Sequence, residues 1–184
     1  LDVLDRQAQR LRKLTSDLIE ASKASTGNID VKLEPTDICE FVDQSAAEYA
    51  DRLATVRLTP IIRMSKRPIY ALADGKLLWR VIDNLLSNVC KYSMPGTRVY
   101  IDAAASGSMA TVTVRNISSE QLGGIDPDEL TERFVRGDSS RSGEGSGLGL
   151  SIAKSLTELQ GGRLKIEIDG DMFKATITMP LVSV

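Results

Sequence analysis

Three helical patterns that alternate with short strand patterns constrain this fold more than any other feature of the sequence. The helical patterns cover residues 36–53, 75–92 and 148–160, and each presents one apolar face. Strand patterns occupy Ile29–Leu33, Val56–Ile62, Ile69–Ala73, Arg98–Ala104, Met109–Arg115, Arg163–Ile168 and Met172–Met179. Because each helix has one face to bury, we predict an α+β fold, a two-layer α/β sandwich with about three helices on one face of a mixed sheet.

Local signals predict where these elements begin and end. Thr36 is predicted as the N-cap of the first helix in the sandwich, and Asp74 as the N-cap of the second. The pair Pro95-Gly96 and the run Asp169-Gly170-Asp171 predict turns between strands. A short helix is predicted at Pro127–Phe134, inside a stretch rich in glycine, serine and acids.

A long amphipathic helix precedes the sandwich. Leu4, Leu11 and Leu18 repeat every seven residues, and residues 25–28 end the pattern with Ser-Thr-Gly-Asn. The apolar stripe is longer than a helix capping a small domain needs. A partner helix is therefore favoured over packing of the stripe on the core, and both interpretations stay open.

Composition narrows the function classes. The 184 residues are 42% hydrophobic and 26% charged, with a net charge of −2, so no global positive field favours nucleic acid as a partner. No apolar run reaches the ~18–20 residues of a membrane span. The chain contains no histidine, which excludes imidazole chemistry from its own side chains. Cys39 and Cys90 are far apart and are predicted to be small buried apolar residues.

One face of the second sandwich helix is polar. Arg80, Asn84, Asn88 and Lys91 share this face, opposite the apolar stripe. Asparagine is a poor residue for a helix interior, and its amide oxygen is a hard ligand that suits Mg²⁺. A lysine one turn further on suits a phosphate. The alternative is a solvated polar face.

Glycines open the last helix. Residues 143–150 read Gly-Glu-Gly-Ser-Gly-Leu-Gly-Leu, and a helix N-terminus behind such glycines favours anions. The run lacks the Gly-Lys-Ser/Thr of a Walker A loop and does not follow a strand as a Rossmann fingerprint does. The alternative is a flexible linker.

Three arginines, Arg133, Arg136 and Arg141, lie just before these glycines. A cationic, glycine-rich segment between two ordered elements is typical of a lid over polyphosphate. A surface loop whose arginines pair with nearby acids is the alternative.

The order of these motifs resembles one family. Segments 84–93, 132–136 and 145–154 look like the N, F and second G boxes of two-component sensor histidine kinases, within the GHKL group of ATP-binding domains. The resemblance implies that residues 28–184 form the catalytic ATP-binding domain. Residues 1–27 look like the second helix of the dimerisation hairpin, whose first helix carries the phosphoacceptor histidine.

The resemblance also implies roles for single residues. Asn88 and Asn84 would hold Mg²⁺, Tyr92 would lie against the nucleotide, and Phe134 would anchor the lid. Catalytic roles are implied for Asn84, Lys91, Arg136 and Arg141. The implied contacts with ATP are Asn84, Asn88, Lys91, Tyr92, Asn116, Phe134, Gly145, Ser146, Gly147, Leu148, Gly149 and Leu150.

The sequence departs from the family at the adenine site. Such kinases have an Asp-x-Gly-x-Gly box, whereas here Asn116 stands in the aspartate position and Ser118 in that of the first glycine. A neutral hydrogen bond is worth about 0.5–1.5 kcal/mol against about 1.5–3 for a charged one, so we expect weaker recognition of the base.

The implied function is transfer of the ATP γ-phosphoryl group to a histidine on a helix that this sequence lacks. The implied partners are a second copy through the first helix and a response regulator receiver domain. The implied location is the cytoplasmic part of a membrane-anchored bacterial sensor. The alternatives are a degenerate GHKL scaffold that senses nucleotide or dimerises, and a GHKL ATPase. The ATPase is disfavoured because Asn84 replaces the glutamate that activates water.

Overall fold

The computed structural model describes residues 2–65, 67–131 and 147–182. The helices are α1 (Asp2–Ser25), α2 (Ile38–Thr55), α3 (Gly75–Tyr92) and α4 (Gly149–Leu159). The strands are β1 (Glu34–Asp37), β2 (Thr59–Met64), β3 (Tyr70–Ala73), β4 (Arg98–Ser106), β5 (Met109–Ile117), β6 (Arg163–Asp169) and β7 (Met172–Pro180). A single 3-10 turn, Glu129–Thr131, lies between β5 and α4.

The main sheet has five strands in the order β2-β4-β5-β7-β6. β2 runs parallel to β4, whereas the other neighbours are antiparallel. The predicted mixed sheet is therefore confirmed. β5 lies at the centre, so its last residues are placed beside β7 rather than at an exposed edge.

Burial alternates along the strands. In β5, Ala110, Val112 and Val114 are buried, and in β7 Ala175 and Ile177 are buried in register with them. Helices α2, α3 and α4 contribute their apolar faces to the same core. The predicted two-layer α+β sandwich is confirmed.

The start of α2 differs from the prediction. Residues 29–33 are not a strand; β1 begins at Glu34 and pairs antiparallel with β3. Thr36 lies within this pairing, opposite Ala71, so it stays extended and does not cap the helix. Asp37 is the N-cap, because its side chain accepts hydrogen bonds from the backbone N–H groups of Cys39 and Glu40.

Two further boundaries were wrong. β2 begins at Thr59 instead of Val56, because Val56 and Arg57 form the turn that ends α2 and Arg57 has a positive φ of 57°. The helix predicted at Pro127–Phe134 is only the 3-10 turn in its described part, and residues 132–134 lie outside the described residues. Asp74, in contrast, is the N-cap of α3 as predicted.

α1 packs with one face and exposes the other. Ala21 and Ala24 are buried in the core cluster, whereas Leu4, Leu11 and Leu18 are 73%, 63% and 51% exposed. Within the described residues, these three leucines therefore remain largely uncovered. In the described part of the chain, none of the helices combines the length and apolar character that spanning a membrane requires.

Candidate functional site

The N-cap of α3 fixes where its polar face points. The Asp74 carboxylate accepts hydrogen bonds from the backbone N–H groups of Lys76 (3.0 Å), Leu77 (3.2 Å) and Lys32 (2.9 Å). The Asp74 backbone N–H donates to Oε1 of Gln160, just past the end of α4, over 2.9 Å. These bonds join α3 to the segment after α1 and to α4. Burial alone would raise the pKa of the Asp74 carboxyl, but the three backbone donors outweigh burial and lower this pKa below its ordinary value.

The amide oxygens of two asparagines face the start of α4. A Cβ placed on Gly149 would lie 3.3 Å from Oδ1 of Asn84 and 3.8 Å from Oδ1 of Asn88. The Asn84 amide is oriented because its Nδ2 donates to the carbonyl of Arg80 over 2.9 Å. Glycine at residue 149 therefore allows α4 to approach the polar face of α3 closely.

The start of α4 is suited to an anion. Leu148 occupies the N-cap position, where its apolar side chain makes no capping hydrogen bond. Gly147 has a positive φ of 70°, which glycine adopts without strain. Backbone N–H groups in the first turn of a helix, together with the helix dipole, favour negatively charged ligands.

Asn116, near the end of β5, is a buried acceptor. The residue is 5% exposed and pairs with Phe173 of β7. Its Oδ1 has no hydrogen-bond partner among the residues that the structure describes. An unsatisfied buried acceptor costs about 1–3 kcal/mol, so a donor from a ligand or from water is expected there.

These elements surround one cavity of about 150 Å³. The α3 asparagines lie close to Gly149, and Asn116 lies beside Phe173. The described residues that line the cavity are Lys13, Asp17, Asn84, Ser87, Asn88, Val89, Lys91, Tyr92, Asn116, Ser118, Glu120, Leu122, Ile125, Leu130, Gly147, Gly149, Leu150 and Phe173. The lining thus combines polar and charged side chains with apolar ones, and it includes the buried acceptor of Asn116.

The end of α3 is tied to the segment after β5. Tyr92 lines the cavity, and its backbone carbonyl accepts hydrogen bonds from the backbone N–H (2.8 Å) and Oγ (3.0 Å) of Ser119. Ser118 forms a bridge with Ser93. The serine that stands in place of a glycine is therefore part of the connection between α3 and β5.

α1 supplies another part of the wall. Arg80 of α3 donates from its Nε to Oε1 of Glu20 over 3.0 Å and also pairs with Asp17 at 3.8 Å. The hydrogen bond with Glu20 raises the pKa of the Arg80 guanidinium. Arg80 was expected on the polar edge, and the structure places it in this ion cluster.

Nine residues with implied nucleotide contacts lie among the described residues. Eight of them line the cavity: Asn84, Asn88, Lys91, Tyr92, Asn116, Gly147, Gly149 and Leu150. The ninth, Leu148, is buried and lies between Gly147 and Gly149 in the chain. Phe134, Arg136, Arg141, Gly145 and Ser146 lie outside the described residues.

Sequence reasoning missed several lining residues. Lys13 and Asp17 of α1 line the cavity but were not predicted as site residues, because no local signal shows which side of a helix meets a distant element. Phe173 was predicted to lie in a strand, but not to line the site. It does so because β7 pairs with β5 and brings Phe173 beside Asn116, and the local pattern of β7 does not reveal this pairing.

The donor set fits a magnesium ion. The two α3 amide oxygens are hard ligands, and Mg²⁺ usually takes one or two protein ligands and completes its shell with water and phosphate oxygens. No group of three or more cysteine, aspartate or glutamate residues that would suit a transition metal occurs within residues 2–65, 67–131 and 147–182. The residues present therefore fit a magnesium ion that takes its other ligands from water or a phosphate.

Comparison with known proteins agrees with this geometry. Residues 73–183 match the family described as Histidine kinase-, DNA gyrase B-, and HSP90-like ATPase. The matched range includes both α3 asparagines, Asn116 and the glycines of α4. The chain therefore belongs to the family of histidine kinase-, DNA gyrase B- and HSP90-like ATPases.

Relatives in this family are sensor kinases. The sensor histidine kinase RppB of Synechocystis is 30% identical over 195 residues, covering 100% of this chain and 41% of the relative. The sensor protein VanSC of Enterococcus gallinarum is 30% identical over 179 residues, covering 95% and 48%. The chain thus spans less than half the length of these curated relatives.

Solved structures share the fold. ShkA in complex with AMPPNP has a TM-score of 0.83 at 23% identity, covering 100% of this chain and 38% of that chain. ThkA in complex with the response regulator protein TrrA has a TM-score of 0.74 at 17% identity, covering 98% and 50%. Within its family, the chain is similar to the catalytic cores of sensor histidine kinases.

Proposed function

We propose that the cavity binds ATP with Mg²⁺ and that the γ-phosphoryl group passes to a histidine on a helix outside this sequence. One observation carries the proposal. The asparagine oxygens of α3 converge on Gly149, and the buried oxygen of Asn116, which has no partner among the described residues, lines the same cavity. We assign the asparagines and Gly149 to a phosphate site and Asn116 to a base site.

At the base site, Asn116 would accept a hydrogen bond from the adenine amino group, and Tyr92 would lie against the nucleotide. Leu122, Ile125 and Phe173 provide apolar surface for a planar base. The observation that supports this is the buried Oδ1, which needs a donor that the described residues do not supply.

At the phosphate site, Asn88 and Asn84 would hold Mg²⁺ by their amide oxygens. The ion would supply charge neutralisation on the phosphate oxygens. Lys91 would contact a phosphate, and the backbone from Gly147 into the first turn of α4 would surround the triphosphate with N–H groups. The chain's contribution is thus positioning and electrostatic stabilisation.

In the transfer, a lone pair on the imidazole nitrogen attacks the γ-phosphorus. The new N–P bond forms while the P–O bond to the bridging oxygen breaks, and ADP leaves with the electron pair. From their sequence motifs alone, Phe134, Arg136 and Arg141 are proposed to form a lid that approaches the γ-phosphate, and Gly145 and Ser146 to contact the nucleotide; all five lie outside the described residues.

The assignment of the two segments is part of the proposal. Residues 1–27 would be the second helix of a hairpin that dimerises, and residues 28–184 the catalytic domain. The exposed leucines of α1, Leu4, Leu11 and Leu18, support the proposal that another helix packs on this face. The response regulator of the ThkA complex supports a receiver domain as partner, and the sensor names of the relatives support the cytoplasmic part of a membrane-anchored sensor.

Hydrolysis of ATP by water is the less favoured activity. The Asn84 Nδ2 donates to the Arg80 carbonyl, and an amide has no basic lone pair with which to take a proton from water.

The test joins the chain to a hairpin helix that carries a histidine. With labelled ATP, this longer protein should acquire acid-labile phosphate, and the same protein with that histidine changed to alanine should not. Release of inorganic phosphate without any protein label would instead support the ATPase.

A further inference from the structure

The wall of the cavity that α1 provides contains a lysine. Lys13 lines the cavity together with Asp17, one helical turn away on the same face of α1. Lys13 and Lys91 are the cationic side chains among the described residues that line it. Glu120 and Asp17 are the acidic ones.

Lys13 is connected to the helix that carries the asparagines through its neighbour Asp17. Asp17 pairs with Arg80 of α3, and the Arg80 carbonyl accepts a hydrogen bond from the amide of Asn84. Lys13 precedes Asp17 by one turn of α1, and both residues line the cavity. The proposed base site, at Asn116 and Phe173, belongs to β5 and β7.

α1 is held in this place by specific contacts. Glu20 accepts hydrogen bonds from two nitrogens of Arg80, and Ala21 and Ala24 are buried in the core cluster. Lys13 itself is exposed and has no ion-pair partner within 4.0 Å in the described part of the chain. A lysine in this setting is free to turn its ammonium group toward an anion in the cavity.

From this geometry we infer that Lys13 binds a phosphate group of the nucleotide, so that α1 forms part of the nucleotide site while it is docked. The inference rests on the proposed function. It adds a second lysine to Lys91 at a site where three phosphate groups have to be neutralised. Because binding free energies are reciprocal, the nucleotide then strengthens the docking of α1 by the same factor as docked α1 strengthens the nucleotide.

The test is calorimetry of the whole chain with a non-hydrolysable ATP analogue and, separately, with adenosine. Lys13→Ala should weaken binding of the triphosphate analogue roughly five- to tenfold, which is the effect of losing one partly exposed charge-assisted hydrogen bond. The affinity for adenosine should stay unchanged. Lys13→Arg should restore most of the affinity. Lys23→Ala is the matched control, because Lys23 is an exposed lysine of the same helix that does not line the cavity.

The outcomes separate the two proposals. If the wild-type chain binds the triphosphate and Lys13→Ala binds it equally well, the inference is overturned and the proposed function stands. An equal loss of triphosphate and adenosine would mean a structural effect and would also overturn it. If the wild type binds neither ligand, the proposed function fails, and the inference with it.

Hydrogen exchange gives an independent measurement. The amides of α1 between Asp17 and Ala24 should exchange more slowly when the triphosphate analogue is present, and Lys13→Ala should remove most of this protection. Exchange in the wild type that does not respond to saturating analogue would contradict the coupling.

Discussion

Oδ1 of Asn84 lies 3.3 Å from the point where a Cβ on Gly149 would stand, so a larger residue there would have to displace the amide by a few tenths of an ångström. This contact joins the polar face of α3 to the start of α4, and both elements line the same cavity. We therefore expect the proposed nucleotide binding to be sensitive to a single methyl group at this position.

Gly149→Ala should therefore weaken binding of a non-hydrolysable ATP analogue by roughly tenfold, since the methyl group displaces the Asn84 oxygen from the proposed phosphate site. Stability should not fall, because alanine is the better helix former by up to about 1 kcal/mol. Gly75→Ala is the control: Gly75 is the first residue of α3, and a Cβ there meets nothing within 4 Å. Calorimetry measures the affinity of both variants for the analogue, and thermal melts measure their stability. Equal affinity in both variants would contradict the close approach of Gly149 to Asn84.

Asn88→Ala should abolish the magnesium-dependent part of ATP binding, because it removes one of the two amide oxygens that face Gly149. The fold should persist, since the Asn88 side chain makes no hydrogen bond within the part of the chain that the structure describes. Titration of the analogue with and without Mg²⁺ measures the effect, and Asn28→Ala, an exposed asparagine outside the cavity, is the control. An unchanged magnesium response would reject Asn88 as a ligand.

Asn116→Asp should tighten ATP binding by roughly fivefold, because a charged acceptor makes a stronger hydrogen bond to the adenine amino group. Inosine triphosphate, which has a carbonyl there, should gain nothing. The ligand-free variant should melt at a lower temperature, since the new carboxylate is buried without a partner. Equal gains for both nucleotides would place the base elsewhere.

Asp74→Ala should lower the free energy of unfolding by about 1–2 kcal/mol at pH 7, the usual effect of removing an N-cap. The pKa of Asp74 is lowered in the folded chain, so its stabilisation is fully present above the unfolded pKa of about 3.9 and is lost as pH falls through the folded value. Urea unfolding at pH 7 and near pH 2 should show the difference between variant and wild type shrinking in acid. A difference that is independent of pH would contradict the capping role.

Gly162→Ala should destabilise the fold by about 1–3 kcal/mol through overpacking. A Cβ at Gly162 would stand 2.3 Å from Sδ of Met179 and 2.6 Å from the carbonyl oxygen of Thr178, and the backbone atom has no room to move. Denaturant melts compared with Gly75→Ala measure this, and a neutral result would show that β6 and β7 separate easily at that point.

The sequence predicts the elements whose signals are local. The cap at Asp74, the polar face of α3 and the glycine start of α4 each lie within a few residues, so patterns reveal them. The choice between Thr36 and Asp37 as the N-cap of α2 was not local, because pairing of β1 with β3 decides which residue stays extended.

The same limit applies to the site. Asn116 could be placed by its motif, but Lys13 and Asp17 reach the cavity only through the docking of α1, which depends on Arg80 and Glu20 some sixty residues apart in sequence. Long-range ion pairs of this kind leave no periodic trace in either segment.

α1 lines the cavity with one face and exposes its leucines on another. The rotation of α1 about its own axis therefore determines which of its side chains reach the cavity. Consecutive residues on a helix differ by about 100° around its axis, so a turn of that size would carry Asp17 away from the cavity and bring Ser16 or Leu18 toward it. Because Leu4, Leu11 and Leu18 face outward, a partner packed on them would influence the rotation of α1 about its axis. Such a rotation would replace the Asp17 carboxylate with an uncharged side chain beside the proposed phosphate site.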